Sequence, residues 1–304
     1  MRRSLRWTLV SALLVLAGLG PGATTVAGQA PAGTNIVLLR LNQPLEGAWS
    51  VGDPIQVTDR PGYDNQPSFT PDGGSILFTS IRGEAPADIY RFDLISRKET
   101  RLTDTPEAEY SGTVMPDGSG FSVIRVEADG TQRLWAFDMD GSNPRLLLEE
   151  IAPVGYHAWL DNGTLALFVL GEPATLQLVP PGAARGRTIA SNIGRSLHRI
   201  PGEPTFSFMQ QGEEGNWITA LDPLSGSTRP VAPGLDGSQD YAWAANGSIL
   251  MANAAGLQRW KTARRSDSRW EAVTGLPPEF GRITRMAVSP NGEWLAVVVA
   301  TGGS

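Results

Sequence analysis

The chain has 304 residues, with 35 glycines, 23 prolines, no cysteine and a formal net charge of −6 at pH 7. A hydrophobic fraction of 41% supplies a large core, and the lack of cysteine excludes disulfides, thiolate metal sites and cysteine nucleophiles. The acidic balance argues against general nucleic-acid binding, because that function needs a basic face to neutralise phosphates.

Residues 1–28 have the three parts of a secretory signal peptide. Three arginines lie within the first six residues, an apolar run covers 7–19, and small residues follow. The apolar run is shorter than the ~20 residues that a transmembrane helix needs. We therefore expect an exported protein, periplasmic or secreted, with no transmembrane span after cleavage. An uncleaved anchor is the alternative. Residues 29–34 are predicted to be a short linker, and 35–304 a single domain.

Six copies of a turn-containing repeat follow the linker. In each copy a tight turn separates two predicted strands, as where 67–73 (PSFTPDG), which contains the Asp72-Gly73 turn, precedes the apolar stretch 75–78. Asp-Gly and Asn-Gly favour such turns, because Gly and Asn tolerate positive φ at little cost. The turn glycines are 45 residues apart except for one interval of 39, and they are Gly73, Gly118, Gly163, Gly202, Gly247 and Gly292. Each period also contains two further strand-like runs, so the sequence predicts four strands per repeat.

Four-stranded units that recur every 40–50 residues are typical of a β-propeller. The predicted fold is all-β, a six-bladed β-propeller of four-stranded antiparallel blades. The sixth repeat has only two strands before the C-terminus, and the N-terminus supplies two unattached strands at 35–41 and 54–58. We expect these N-terminal strands to complete the C-terminal blade and close the ring. The residue four before most turn glycines is expected to pack between blades, and these residues are Phe69, Val114, Trp159, Trp243 and Val288.

The repeat resembles that of the TolB-type β-propellers, a WD-like repeat family. The resemblance rests on residues 67–80 (PSFTPDGGSILFTS), 88–93 (DIYRFD) and 100–103 (TRLT), and it extends over the chain after residue 34. It implies a six-bladed propeller in the envelope of a bacterium that makes protein–protein contacts. TolB proper also carries an N-terminal α/β domain, for which the sequence before residue 35 is expected to leave no room.

The sequence has few groups suited to catalysis. No Gly-x-Ser-x-Gly nucleophile motif occurs, and the two histidines, His157 and His198, are too few for a His-rich metal site. His157 lies two residues before Trp159 on a predicted innermost strand, where it is either a hydrogen-bonded strand residue or a ligand lining the channel. We expect no catalytic residue, no metal and no cofactor.

The charge pattern predicts a binding face. The loops that precede each first strand and the loops between second and third strands share one face of a propeller, and acidic residues outnumber arginines in them. Four tyrosines fall near the starts of first strands. Acidic loops with aromatic residues at a channel mouth suit a basic peptide, a basic protein segment or a cation. An acidic surface that only keeps the protein soluble is the alternative. The candidate binding residues are Tyr63, Asp64, Glu107, Glu109, Tyr110, Glu149, Glu150, Tyr156, His157, Arg195, Asp240 and Tyr241.

These features favour a non-enzymatic scaffold that binds a protein or peptide, with no nucleic-acid partner and as a monomer. One alternative is a propeller enzyme, such as a polysaccharide lyase or a hydrolase, which would have to use Asp, Glu, Tyr or Arg. Another is an accessory subunit of an envelope enzyme or sensor.

Overall fold

The computed structural model describes residues 31–261, 268–278 and 280–301. The predicted signal peptide, 1–28, lies outside these described residues. Regular structure in the described ranges consists of β-strands, with no α-helix among them. Within the same ranges, no helix has the length and apolarity needed to cross a membrane. The protein is therefore all-β, as predicted.

The described residues contain 25 strands: β1 (Thr34–Asn42), β2 (Ser50–Val51), β3 (Ile55–Gln56), β4 (Tyr63–Phe69), β5 (Ser75–Ile81), β6 (Asp88–Asp93), β7 (Glu99–Arg101), β8 (Ala108–Val114), β9 (Gly120–Val126), β10 (Gln132–Asp138), β11 (Arg145–Leu146), β12 (Val154–Trp159), β13 (Leu165–Val169), β14 (Thr175–Val179), β15 (Arg187–Ser191), β16 (Ile193–Arg199), β17 (Phe206–Gln210), β18 (Trp217–Leu221), β19 (Thr228–Pro233), β20 (Tyr241–Trp243), β21 (Ile249–Asn253), β22 (Gly256–Lys261), β23 (Arg269–Ala272), β24 (Ile283–Val288) and β25 (Trp294–Ala300).

Most strands belong to four-stranded antiparallel sheets of consecutive strands. Four such sheets are formed by β8–β11, β12–β15, β16–β19 and β20–β23. The other strands form a nine-stranded sheet in which β24, β25, β1, β4, β5, β6 and β7 follow one another, with β2 and β3 paired to β1. The only register pair between β1 and β4 is Thr34 with Tyr63. The large sheet is therefore two groups of strands joined at one point.

The first of these groups unites the two ends of the described chain. β1 pairs antiparallel with β25 over seven residues, from Thr34 opposite Ala300 to Arg40 opposite Trp294. On its other edge β1 pairs with β3, with Leu38 opposite Ile55. The predicted pairing of the N-terminal strands with the C-terminal pair is therefore observed, in the order β24-β25-β1-β3.

Tight turns connect the first and second strands of each group. The six turn glycines of the repeat all have φ between 70° and 80°, as a turn through the left-handed region requires. Gly141 shows a second use of glycine, in a turn between third and fourth strands. A Cβ at this position would lie 1.7 Å from the carbonyl oxygen of Leu102 in the neighbouring group, so only glycine permits this approach.

The core lies between the groups of strands. Six clusters of buried apolar side chains occur in the described residues, and each contains residues from two neighbouring groups. The five residues that are predicted to pack between blades are partly buried and each packs against one of these clusters, which confirms that prediction: Phe69, Val114, Trp159, Trp243 and Val288.

The first strands of the groups lie next to one another. β4 neighbours β8, β8 neighbours β12, and the series continues through β16, β20 and β24, with β24 beside β4. Residues at the starts of these six strands can therefore meet although they are distant in sequence.

The segment between β1 and β3 packs against the sheet β20–β23. Residues 43–54, between β1 and β3, carry Trp49 into the cluster that contains Leu257 and Val273, and the Trp49 side chain is 2% exposed. The backbone is held as well, because Thr274 N donates to Trp49 O at 3.0 Å and Val51 N donates to Thr274 O at 2.8 Å. We call residues 43–54 the clip.

Candidate functional site

One repeat position brings side chains from all six groups together. This position lies seven residues before each turn glycine, near the start of the first strand, and is occupied by Gln66, Ser111, Tyr156, Arg195, Asp240 and Arg285. Five of the six first strands that carry these residues are irregular there, because their register shifts at or beside this position. We call Tyr156, Arg195, Asp240 and Arg285, together with the nearby Tyr63, the central cluster.

The central cluster is connected by polar contacts between different groups of strands. Arg195 Nη2 donates to Asp240 Oδ2 at 2.5 Å. Arg285 Nε lies 3.9 Å from Asp240 Oδ1, and Arg285 Nη2 donates to the Tyr156 hydroxyl at 3.0 Å. The Arg285 guanidinium also lies 4.9 Å from the centre of the Tyr156 ring. One continuous set of contacts therefore joins residues of β12, β16 and β24 and the residue that immediately precedes β20.

The positive charge of this cluster affects its phenols. Burial alone would raise the pKa of the Tyr156 phenol, but the guanidinium groups of Arg285 and Arg195 and the hydrogen bond from Arg285 outweigh it, so the pKa is lowered. At Tyr63 burial dominates and raises the pKa of the phenol, with Arg285 opposing it. Tyr156 is therefore the phenol of this cluster that loses its proton more readily.

The remaining two members of the repeat position are engaged with each other. Gln66 and Ser111 both have positive φ, at 57° and 56°. Gln66 Oε1 accepts a hydrogen bond from Ser111 N at 2.8 Å and another from Thr79 Oγ1 at 2.7 Å. These residues link the first strands β4 and β8, so we assign them a structural role.

Two of the sequence-predicted acids are buried rather than exposed on the face. The Asp64 and Glu109 side chains occupy equivalent repeat positions, and both are 0% exposed. Asp64 accepts a hydrogen bond from Arg60, and Glu109 Oε1 accepts one from Thr105 Oγ1 at 2.6 Å. These two carboxylates are part of the packing beneath the face and cannot contact a partner on its surface.

Burial raises the pKa of the Glu109 carboxyl to about 7, although Thr105 and Arg125 act in the opposite direction. Because the folded-state pKa lies above that of the unfolded chain, the contribution of Glu109 to stability is complete at low pH and is lost as the pH rises through about 7. The free energy of unfolding of Glu109→Gln, measured relative to wild type, should therefore be higher at pH 8 than at pH 5. The expected difference is on the order of 1–3 kcal/mol. Urea unfolding at both pH values measures this difference.

Glu149→Gln is the matched control, because Glu149 is exposed and its substitution should change stability by less than about 0.5 kcal/mol at either pH. If the Glu109→Gln difference is the same at pH 5 and pH 8, the buried carboxyl does not titrate in this range and the assignment is wrong.

The other predicted acids lie nearer the surface, and arginines accompany some of them. Glu107 forms an ion pair with Arg125, and Glu150 forms one with Arg185. Glu149 is exposed. A cavity of about 360 Å³ opens on the same face and is lined by Glu107, Arg125, Glu127, Asp129 and Trp135, with Ala128. Glu127 pairs with Arg133, so this face is less acidic than its loops alone suggest.

The remaining predicted aromatic and histidine residues belong mainly to the core. The Tyr241 hydroxyl donates to Ser207 Oγ at 2.9 Å, and Tyr241 is 0% exposed. His157 Nε2 lies 2.7 Å from Ser122 Oγ, and burial lowers the pKa of His157 to about 3. Tyr110 is half-buried, and burial raises the pKa of its phenol.

The Ser122–His157 pair is buried within the packing between sheets. Ser122 is 0% exposed and His157 is 8% exposed, and Trp159 Nε1 also donates to Ser122 Oγ at 2.9 Å. A serine nucleophile needs access to substrate, so this pair is a structural contact. Among the described residues, no group of three or more His, Cys, Asp or Glu is placed to hold a metal ion.

Arg285 is not among the binding residues predicted from the sequence. Acidic loops favour carboxylates as the candidate residues, and Arg195 is the only cation in the predicted set. The repeat itself could have found Arg285, because it lies 45 residues after Asp240 at the position that also holds Tyr156 and Arg195. The periodicity that predicts the strands thus also predicts which side chains meet at the site.

The sequence matches no protein-family model. Solved structures, however, share the fold, and they define the class as β-propellers. An oligogalacturonate lyase from Vibrio parahaemolyticus aligns with a TM-score of 0.56 and 13% identity, covering 83% of each chain.

The putative TolB from Agrobacterium tumefaciens aligns with a TM-score of 0.68 and 14% identity, over 90% of this chain and 99% of that one. TolB from Acinetobacter baumannii aligns with a TM-score of 0.59 and 13% identity, over 89% of this chain and 65% of that one. The chain thus has a TolB-like β-propeller fold. At these identities the similarity describes the fold and leaves the activity to be argued from the site.

Proposed function

We propose that the described strands form a closed ring of six blades, with β24, β25, β1 and β3 as the last blade. Three observations support this arrangement. β1 pairs with β25 over seven residues. The six apolar clusters each lie between two neighbouring groups. The first strands are neighbours in series from β4 to β24 and back to β4. The central cluster then lies on the axis of the ring, near the face where the first strands begin.

We propose further that the protein is an exported, non-enzymatic scaffold that binds a protein partner at this face. The observation that carries the proposal is the convergence of five side chains from different first strands, near the starts of those strands: Tyr63, Tyr156, Arg195, Asp240 and Arg285. Their polar and aromatic groups remain partly accessible, since the side chains of Arg195 and Arg285 are 36% and 15% exposed. Exposed acidic loops surround them and offer a polar rim.

The proposal predicts that partner capture depends on the exposed loops of this face. The triple variant Glu84→Lys, Asp129→Lys, Glu149→Lys reverses three exposed acids there. We expect it to reduce the recovery of a captured envelope protein at least ten-fold, because charge reversal at an interface repels a basic partner. Quantitative mass spectrometry of pull-downs with the mature protein measures the recovery.

The control variant Glu46→Lys, Asp53→Lys, Glu203→Lys makes the same change in charge at exposed positions of the opposite face, two in the clip and one between β16 and β17. It should retain the partner. Equal loss with both variants, or retention with both, would show that the acidic loops do not form the interface.

A propeller enzyme is the second candidate, and Tyr156 favours it. A phenol of lowered pKa beside Arg285 is suited to act as a general base. Turnover of a panel of glycan or peptide substrates by the wild-type protein, with loss of activity in Tyr156→Phe, would favour the enzyme over the scaffold. An accessory role in an envelope enzyme or sensor complex is compatible with the scaffold proposal.

A further inference from the structure

The central cluster contains more positive than negative side chains. Arg195 and Arg285 share one carboxylate, Asp240. The close contact, 2.5 Å, is between Asp240 and Arg195, whereas Asp240 lies 3.9 Å from Arg285. A guanidinium that is mostly removed from water is normally paired with an anion of its own. The Arg285 side chain is 15% exposed. Among the described residues its carboxylate partner is Asp240, which lies 3.9 Å away and is shared with Arg195.

The neighbouring titratable groups do not supply the missing negative charge. Burial lowers the pKa of His198 to about 4, so this histidine is neutral at pH 7. Tyr63 keeps its proton, because burial raises the pKa of its phenol. With Tyr156 protonated the cluster has one excess positive charge, and the lowered pKa of the Tyr156 phenol is the expected response to that excess.

The two arginines also retain donors for a ligand. Arg285 directs Nη2 to the Tyr156 hydroxyl, a neutral partner. Arg195 directs Nη2 to Asp240, and its buried Nε has no hydrogen-bond partner in the described part of the chain. A guanidinium has five N–H donors in a planar fork that matches the two oxygens of a carboxylate.

We propose that the central cluster binds a carboxylate of a partner polypeptide, an Asp or Glu side chain or a chain terminus, through Arg285 and Arg195. The inference rests on the proposed scaffold function and names the chemistry of its central contact. The carboxylate takes donors of Arg285 that now face Tyr156, and it competes with Asp240 for both arginines. The partner thus presents basic segments to the acidic rim and one acidic group to the axis.

This competition gives two variants with opposite expected effects. Arg285→Gln removes the arginine that lacks a close carboxylate partner and should weaken carboxylate binding at least ten-fold. Asp240→Asn removes the internal competitor with little change in shape and should strengthen binding several-fold. A purely structural cluster predicts no such opposition, because either change would then only disturb packing. Arg285→Lys keeps the charge without the fork and should give an intermediate affinity.

The probes are a capped peptide with one central glutamate, the same peptide with glutamine, succinate and inorganic phosphate. Isothermal titration calorimetry at pH 7 and low ionic strength gives each dissociation constant. We expect the glutamate peptide and succinate to bind, the glutamine peptide not to bind, and Arg145→Gln, an arginine paired with Asp138 outside the cluster, to behave as wild type. Binding of phosphate without either carboxylate, or equal affinity for both peptides, would overturn the proposal.

The absorbance of tyrosinate supplies a readout that does not depend on folding stability. A bound carboxylate cancels the excess positive charge, so succinate should raise the apparent pKa at which Tyr156 titrates, and Tyr156→Phe should lack that transition. No change on adding succinate contradicts the assignment. If these probes bind but no partner is captured, the scaffold proposal fails and the carboxylate site stands. If a partner is captured normally by a folded Arg285→Gln variant, the carboxylate site fails and the scaffold stands.

Discussion

A disulfide between β1 and β25 is expected to stabilise the protein much more than one within a single hairpin. Arg40 and Trp294 are register partners in this pairing, and the chain has no cysteine of its own to compete. Antiparallel partners have the Cα separation that a disulfide needs. The double variant Arg40→Cys, Trp294→Cys should therefore oxidise to a single defined crosslink.

The effect should be large because the crosslink closes nearly the whole chain. It constrains a loop of about 250 residues in the unfolded state, whereas Val126→Cys with Gln132→Cys, partners in the β9–β10 hairpin, closes a loop of about six. Chain entropy then predicts a stabilisation about 3 kcal/mol greater for the first disulfide than for the second. Each oxidised protein is compared with its own reduced form, which removes the cost of losing Arg40 and Trp294 from the comparison.

Urea unfolding of the four forms measures the difference. Equal increments for the two disulfides would show that β1 leaves β25 before the rest of the protein unfolds, and the β1–β25 pairing would then contribute little to global stability.

The sequence predicted the strands well because the fold repeats. Each Asp-Gly or Asn-Gly turn acts locally, and its glycine adopts the predicted positive φ wherever it recurs. The strand expected at 35–41 is observed as Thr34–Asn42, with the expected partners. The clip was not predicted, because it has no counterpart in the other repeats. Its path depends on Trp49 finding the cluster of Leu257 and Val273, a contact of long sequence separation.

The site was harder to predict, because burial and pairing depend on tertiary structure. Asp64 and Glu109 look like exposed loop acids in the sequence, but arginines from elsewhere in the same repeats meet them, Arg60 from a loop and Arg125 from β9. The equivalent position in the next repeat is Val154, which is 0% exposed. The same buried position thus holds either an acid in an ion pair or an apolar side chain. Composition alone does not distinguish such a buried acid from an acid on the surface.

Trp49→Ala is expected to be among the most damaging single substitutions in the protein. The indole is 2% exposed and packs in the cluster that β1, β24 and β25 form with the sheet β20–β23, and the Arg259 guanidinium lies 4.7 Å from its ring. Removing a buried tryptophan leaves a cavity and forfeits its contacts, so we expect a loss of about 3–5 kcal/mol in the free energy of unfolding. Equilibrium unfolding in urea measures this loss.

Trp217→Ala is the matched control, because Trp217 is 43% exposed at the start of β18 and should cost less than about 1 kcal/mol. Trp49→Phe should lie between the two, since it keeps an aromatic face for Arg259 but not the full volume. Trp49 joins the group β24-β25-β1-β3 to the sheet β20–β23, so its loss weakens the contact between these two groups of strands as well as the packing within one. If Trp49→Ala costs no more than Trp217→Ala, the clip is a surface loop that contributes nothing to holding these sheets together.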